Sequence, residues 1–252
     1  MKKIVIAVSM LAAALVANAQ EPAVQPATRL YKPVAGNVLA EIGLFATPGG
    51  ITGGVTSQSQ SAFGTPQLKF RYFLQDQIAL RVGFNYTQNT ETTKFYEANP
   101  GSGDGFAKDK SSLFGLNLGI EKHLTGTGRL STYVGGDLSF ILTGASAKWE
   151  NTANGTTFTD GASRKIKGGN AAGDRGSFGF GLRAVGGADY YFVEKVYLGA
   201  EFGWGFIASK EGKLKDEQTL GGVTTTTETK SGGGEFNIAP SLTAGLRLGF
   251  IF

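Results

Sequence analysis

The chain has 252 residues, with 24 Lys and Arg against 20 Asp and Glu, a formal charge of +4 of which Lys2 and Lys3 supply two, one His and no Cys. So small a charge makes no case for a nucleic-acid partner, and the absence of Cys excludes disulfides and thiolate metal sites. Glycine, at 39 residues, is about twice its usual share of roughly 7%, without a collagen-like Gly-X-Y period.

The amino terminus reads as a secretory signal: Met1-Lys2-Lys3, an apolar run over 4–16 broken by Ser9, and the small-residue triplet Ala17-Asn18-Ala19 with cleavage expected after Ala19. The run falls short of the about 20 apolar residues that a spanning helix needs. Residues 20–36 carry Pro22, Pro26 and Pro33 without periodicity and are expected to form an extended periplasmic lead-in. A mean hydropathy of −0.06 then leaves a soluble β protein or a membrane barrel whose lipid-facing residues are hidden in averages by alternation.

From residue 37 onward the pattern has period two. The first segment, 37–46, sets Val38, Ala40, Ile42 and Leu44 against Glu41 and Gly43. The second, 66–74, sets Leu68, Phe70, Tyr72 and Leu74 against Lys69 and Arg71, and the third, 78–87, sets Leu80, Val82, Phe84 and Tyr86 against Arg81, Gly83 and Asn85. Over 111–122, Phe114, Leu116, Leu118 and Ile120 oppose Gly115, Asn117, Gly119 and Glu121. Over 130–143, Val134, Leu138, Phe140 and Leu142 oppose Ser131, Tyr133, Gly135, Asp137 and Ser139. Over 177–192, Phe178, Phe180, Leu182 and Tyr190 oppose Gly179, Gly181, Arg183, Gly187 and Asp189. Over 196–208, Val196, Leu198, Phe202, Trp204 and Phe206 oppose Tyr197, Gly199, Glu201 and Gly203. The last segment, 235–252, places Phe236, Ile238, Leu242, Leu246, Leu248, Phe250 and Phe252 opposite Asn237, Gly245, Arg247 and Gly249.

Links alternate in length. Those at 75–77, 123–129 and 193–195 are short, whereas the other four run to about twenty or thirty residues rich in Gly, Thr, Ser and Asn, the asymmetry of barrels with tight periplasmic turns and long external loops. Bulky Phe, Tyr, Trp and Leu from every strand would not fit the narrow bore of eight strands, whereas the glycine-rich face would. The apolar face is therefore expected in lipid. Tyr72, Tyr190, Phe192, Phe250 and Phe252 fall at one height and Phe84, Tyr86, Phe114, Phe140, Phe178, Trp204, Phe206 and Phe236 at another, as two aromatic girdles would. The fold class expected is all-β, an eight-stranded antiparallel up-and-down transmembrane β-barrel over 37–252.

On strand number, loop asymmetry, signal peptide and terminal Phe252, the chain resembles the eight-stranded outer-membrane barrel family of OmpA, OmpX and opacity-like proteins. It departs from the OmpA pattern in having no peptidoglycan-binding domain after the last strand, so cell-wall anchoring is not implied. The resemblance implies residence in the bacterial outer membrane, and recognition by the barrel-assembly machinery through the carboxy-terminal strand with Leu246, Leu248, Phe250 and Phe252.

No catalytic, metal or cofactor site is legible, and the chain is expected not to be an enzyme. His123 is expected as a solvated turn residue. Asp104 and Asp109 lack the spacing of a calcium loop with its closing acid. Gly168-Gly169 and 232–234 follow no strand-to-helix pattern that would cradle phosphate, and the Thr run over 224–227 reads as a flexible polar loop.

What stands out is the inward face. It carries Glu41, Glu121, Asp137, Asp189 and Glu201 against Lys69, Arg71, Arg81, Arg183 and Arg247, and enclosed charges need partners. Neighbouring strands allow Glu41 to reach Arg71 or Arg247, Glu121 to reach Arg81, Asp137 to reach Arg183, and Glu201 to reach Arg247. The function expected is a structural or surface-interaction barrel, its lumen plugged by these pairs, displaying four long loops for adhesion, recognition or envelope integrity. The alternative is a small porin-like channel or a conduit for hydrophobic molecules of the OmpW type, to which Pro240 in the last strand would contribute an opening. Leu198→Arg on the lipid face is expected to be costly, and the lumen change Gly199→Ser much milder.

Overall fold

The computed structural model describes residues 31–47, 50–52, 68–96, 104–230, 234–239 and 245–252. The signal segment, the lead-in up to residue 30 and Pro240 lie outside them. In chain order the strands are β1 (Val38–Thr47), β2 (Gly50–Thr52), β3 (Leu68–Gln75), β4 (Ile78–Tyr96), β5 (Asp104–His123), β6 (Leu130–Glu150), β7 (Ser163–Lys167), β8 (Ser177–Val193), β9 (Val196–Glu211), β10 (Leu214–Leu220), β11 (Val223–Thr229), β12 (Gly234–Ala239) and β13 (Gly245–Ile251), with no helix among the described residues.

Eight of these close into a ring in the order β1, β3, β4, β5, β6, β8, β9, β13 and back to β1, every pairing antiparallel. The seam sets Ala40 opposite Phe250 and Ile42 opposite Leu248, and the Phe252 amide donates to the Val38 carbonyl at 2.8 Å. Closure removes the unpaired edge that hydrocarbon does not tolerate. Against β9, pairing runs as far as Ala239 opposite Gly205 on β12 and resumes with Gly245 opposite Glu201 on β13, two residues out of register. An even shift preserves which face each side chain takes.

The alternation decides the faces. Ile42, Leu80, Ile120, Leu138, Leu182, Leu198 and Phe202 stand 38–55% exposed on the outside, whereas the ten inward charges are at most 6% exposed. This is the inverse of a water-soluble barrel and matches a lipid solvent. Tyr86, Phe178 and Trp204 are exposed toward the long-loop end, and Tyr190, Phe192, Phe250 and Phe252 toward the short-turn end.

The long-loop end is more ordered than the polar sequence implies. The pairing of β4 with β5 continues to Tyr96 opposite Asp104, and that of β5 with β6 to Phe106 opposite Glu150, so much of two expected loops is strand. Above Ser146, β7 takes the place of β8 beside β6, β10 pairs β7, and β11 pairs β10. The 224–227 segment, expected as a flexible loop, is thus β-strand opposite Asp216–Thr219 positions of β10. Its turn is Gly221-Gly222, both at positive φ (59° and 78°), the two-residue hairpin geometry that favours Gly-Gly.

At the other end the bore is floored by an apolar cluster of Leu39, Phe73, Ala79, Tyr191, Tyr197 and Ile251, with Tyr31 packed against it. The described end of the lead-in is pinned there rather than simply extended. Gly36 and Phe73 bond through N–H to O at 2.8 Å, and the Ala35 amide donates to Asp76 Oδ1 at 2.9 Å. Arg129 also lies over the Tyr31 ring, 4.5 Å from its centroid.

Candidate functional site

The interior is built from rows of residues in register around the wall, and most of the long side chains face a glycine across the ladder. Arg81 is opposite Gly119, Glu121 opposite Gly135, Arg183 opposite Gly205, Tyr133 opposite Gly187, and Arg247 opposite Gly199. The glycines make room. A Cβ on Gly119 would strike Asp137 Oδ1, one on Gly187 the Tyr133 hydroxyl, and one on Gly249 the Tyr197 ring. Bulk and its absence alternate because a bore of eight strands cannot hold large side chains from adjacent strands at one height.

All the expected neighbour pairs form. Arg71 pairs with Glu41; Arg247 Nη1 reaches Glu41 Oε2 at 2.9 Å and Glu201 Oε2 at 3.2 Å; Arg81 Nη1 reaches Glu121 Oε2 at 3.0 Å; and Arg183 Nη2 reaches Asp137 Oδ2 at 2.6 Å. The register also brings together groups that neighbour-strand reasoning does not. Arg71 spans to Glu121 and Asp189 at 2.9 and 2.8 Å, Arg81 to Asp137 and Glu201 at 2.9 and 2.8 Å, and Arg247 to Asp189 at 2.8 Å, while Arg183 reaches Glu201 on the neighbouring strand β9 at 3.3 Å.

Glu201 is the hub. Its carboxylate also pairs with Lys69 at 3.2 Å and accepts the Tyr133 hydroxyl at 2.7 Å. Arg71 and Arg81 lie directly opposite each other on β3 and β4, a like-charge pairing that destabilises a sheet unless acids intervene. Glu121, one oxygen on each guanidinium, does so.

Three residues join the network that the charge pattern left out. The Tyr197 hydroxyl accepts from Arg71 Nη2 at 2.6 Å, and its ring lies 5.1 Å from that guanidinium carbon. The Tyr133 ring lies beneath Arg71 and Arg247 at 5.6 and 5.3 Å. His123, expected as a solvated turn residue, is instead 3% exposed at the end of β5. Its ring spans Glu121 Oε1 at 3.0 Å and Ser131 Oγ at 2.8 Å, with Phe73 and Tyr133 at ring-centroid distances of 4.9 and 5.3 Å. Its parity, the same as Glu121, was the available signal.

Gly199 is more crowded than the sequence implies. A Cβ there would strike Asp189 Oδ1 and sit 3.0 Å from Arg247 Nη2, so a lumen substitution at this position carries an overpacking cost of its own. Leu246 and Leu248 of the terminal strand face outward half-buried, and Phe250 and Phe252 are exposed. Asp109 Oδ1 accepts the Ala171 amide at 3.1 Å, and among the described residues no group of three or more His, Asp or Glu is placed to hold a metal ion.

A closed antiparallel ring of eight strands with an apolar outer belt, aromatics at both rims and a charged, filled interior defines a transmembrane β-barrel of the outer-membrane type. The family model described as "Putative OmpA-OmpF-like porin family" matches residues 55–204, more than half of the chain. The chain belongs to that family of outer-membrane barrels. Among solved structures, it is similar to the outer membrane protein AlkL determined by solid-state NMR in DMPC lipid bilayers, with 14% identity, 92% of this chain and 96% of that chain covered, and a TM-score of 0.29. No curated protein matches.

Proposed function

We propose that the protein is a closed barrel that anchors an ordered strand platform at the surface of the outer membrane, with residues 1–19 removed on export and the long-loop end facing out of the cell. The observation that carries this reading is the cross-bore bonding: Lys69 and Arg81 on one side and Glu201 on the other bind through the lumen axis, above an apolar floor. Charges held in paired, desolvated contacts are not a hydrated ion path. The strand-built long-loop end suits adhesion, recognition or envelope integrity through an external partner. Assembly would proceed through Leu246, Leu248, Phe250 and Phe252 of the terminal strand. No enzymatic role is proposed, since His123 is enclosed at the short-turn end and held by Glu121 and Ser131.

Planar-bilayer recording of the refolded protein tests this. Little or no steady conductance is expected; a large and stable one would reject the closed lumen. One observation favours a second reading, a conduit for hydrophobic molecules that leaves through the wall. Pairing with β9 breaks register between Ala239 and Gly245, and Pro240 lies between them. Uptake of a hydrophobic dye into proteoliposomes, without ion conductance, would favour it.

A further inference from the structure

The strand extension at the long-loop end has two faces of opposite character. One holds Ala107, Trp149 and Ile166, all buried. The other continues the lipid-facing side of the barrel, because Lys108 and Lys110 share parity with Phe114, Leu116 and Leu118 on the uninterrupted strand β5. On that outer face, in-register pairing assembles two basic rows. Lys110, Lys167 and Lys215 share one row across β5, β7 and β10, with Ser146 between the first two. Lys108, Lys148 and Lys165 stand side by side on three consecutive strands in the next.

Like charges directly opposite one another on adjacent strands destabilise a sheet, and the acids that end the rows, Glu217 opposite Lys165 and Glu228 opposite Lys215, offset them only in part. Lys148 pairs with Glu150 and Lys215 with Glu217 at 2.8 Å, while Lys108, Lys110, Lys165 and Lys167 have no ion pair among the described residues. Glu217 reports the potential: its carboxyl is held below the ordinary value by the hydrogen bond from Lys215, with Lys167 and Lys165 adding to the effect.

Height identifies what adjoins this face. Lys110 lies four residues beyond Phe114 of the aromatic girdle, about 13 Å along the strand and roughly 10 Å in height for a strand tilted by about 40°. The headgroup layer is about 5–8 Å deep on each side of the hydrocarbon, and a lysine stem reaches back toward it while keeping its ammonium in the polar zone. Lys110 therefore meets the headgroups, and the lysines around it add their field within a Debye length of about 8 Å.

We propose that this lysine face binds the phosphate-bearing, anionic headgroups of the lipid leaflet at the long-loop end, gathering them on the β5–β6–β7–β10 side of the barrel. The proposal requires insertion in a bilayer but neither the closed lumen nor an external partner.

The experiment reconstitutes the full barrel in phosphatidylcholine bilayers and measures, by spin resonance, the motionally restricted fraction of spin-labelled phosphatidylglycerol against spin-labelled phosphatidylcholine. The restricted fraction for the anionic lipid is expected to be about twofold or more higher at low salt, falling to parity near 0.5 M, where screening is nearly complete. Replacing Lys108, Lys110, Lys165 and Lys167 together by Gln should abolish the preference, and replacing them by Arg should retain it. Changing Lys32, Lys122 and Lys195 at the short-turn end to Gln should leave it. A heat-induced gel shift checks that each variant is folded. Parity in the wild-type protein, or a preference that survives the four Gln changes, overturns the proposal. So does parity accompanied by tight heparin binding lost in the Gln variant, which would assign the face to a soluble polyanion.

Discussion

Lys69 and Glu201 meet inside the barrel, Nζ to Oε2 at 3.2 Å, although β1 and β13 stand between their strands in the wall. A contact of this kind spans the bore rather than lining it. It ties the two sides of the ring together, and Gly83 beside Lys69 and Gly187 and Gly245 beside Glu201 leave the bore room for it.

Glu201 is therefore the most sensitive single carboxylate among the described residues. Lys69, Arg81, Arg183 and Arg247 all pair with it, so Glu201→Gln leaves four buried cations sharing too little negative charge. Breaking a buried pair by removing one partner typically costs about 3–5 kcal/mol. Urea unfolding of the variant in lipid or detergent, read from the gel shift, should show a loss of that order.

Arg81→Ala tests the closed lumen. Arg81 bonds Glu121, Asp137 and Glu201 at 3.0, 2.9 and 2.8 Å, so its loss both opens volume and leaves three acids each short of one cation. The variant should be less stable than wild type and should conduct cations where wild type is silent. Unchanged silence with unchanged stability would mean that the network neither supports nor closes the barrel.

The strand order, the faces and the neighbour-strand ion pairs were legible because period two assigns each side chain a face without any knowledge of register. Glu41–Arg71, Glu121–Arg81 and Asp137–Arg183 follow from adjacency alone. The bonds of Lys69 and Arg81 to Glu201 do not, since they depend on relative height and on long side chains crossing a narrow space. His123 was misplaced because a residue ending a strand was read as part of the turn. The outer strand extension was missed because polar Thr, Lys and Ser can pair as strands in water without the apolar alternation that marks a strand in lipid. Gly221-Gly222 between alternating Thr and Leu or Val was the available hairpin sign.

Leu198→Arg and Gly199→Ser should both destabilise, for different reasons. Leu198 is 43% exposed on the lipid face, where an arginine near the midplane costs about 2–4 kcal/mol. Gly199 faces Asp189 and Arg247, which would have to give way to a Cβ; overpacking of this kind costs typically about 1–3 kcal/mol. Gly128→Ser is the control, since its Cβ would meet nothing within 4 Å, and its unfolding midpoint should match wild type.

The platform at the long-loop end should be a separable unit. Trp149 is 7% exposed beneath the 151–162 segment, whose Gly155 lies close enough that a Cβ would sit 3.2 Å from the indole. Arg164 lies over the same ring, 5.0 Å from its centroid, and bonds Asp216 through Nε at 2.9 Å, which joins β7 to β10. Trp149→Ala removes the apolar centre of this unit, and buried Trp→Ala changes cost about 3–5 kcal/mol. Arg164→Ala removes the side-chain clamp between β7 and β10 and leaves only their backbone pairing to hold them together at that point. In both variants, protease added to the long-loop side of proteoliposomes should cut within 151–176 or 212–222 faster than in wild type. The heat-induced gel shift of the barrel should be unchanged, because the ion network and the eight-strand closure lie below the cut sites. Loss of the gel shift together with protease sensitivity would show that the platform and the barrel fold as one cooperative unit.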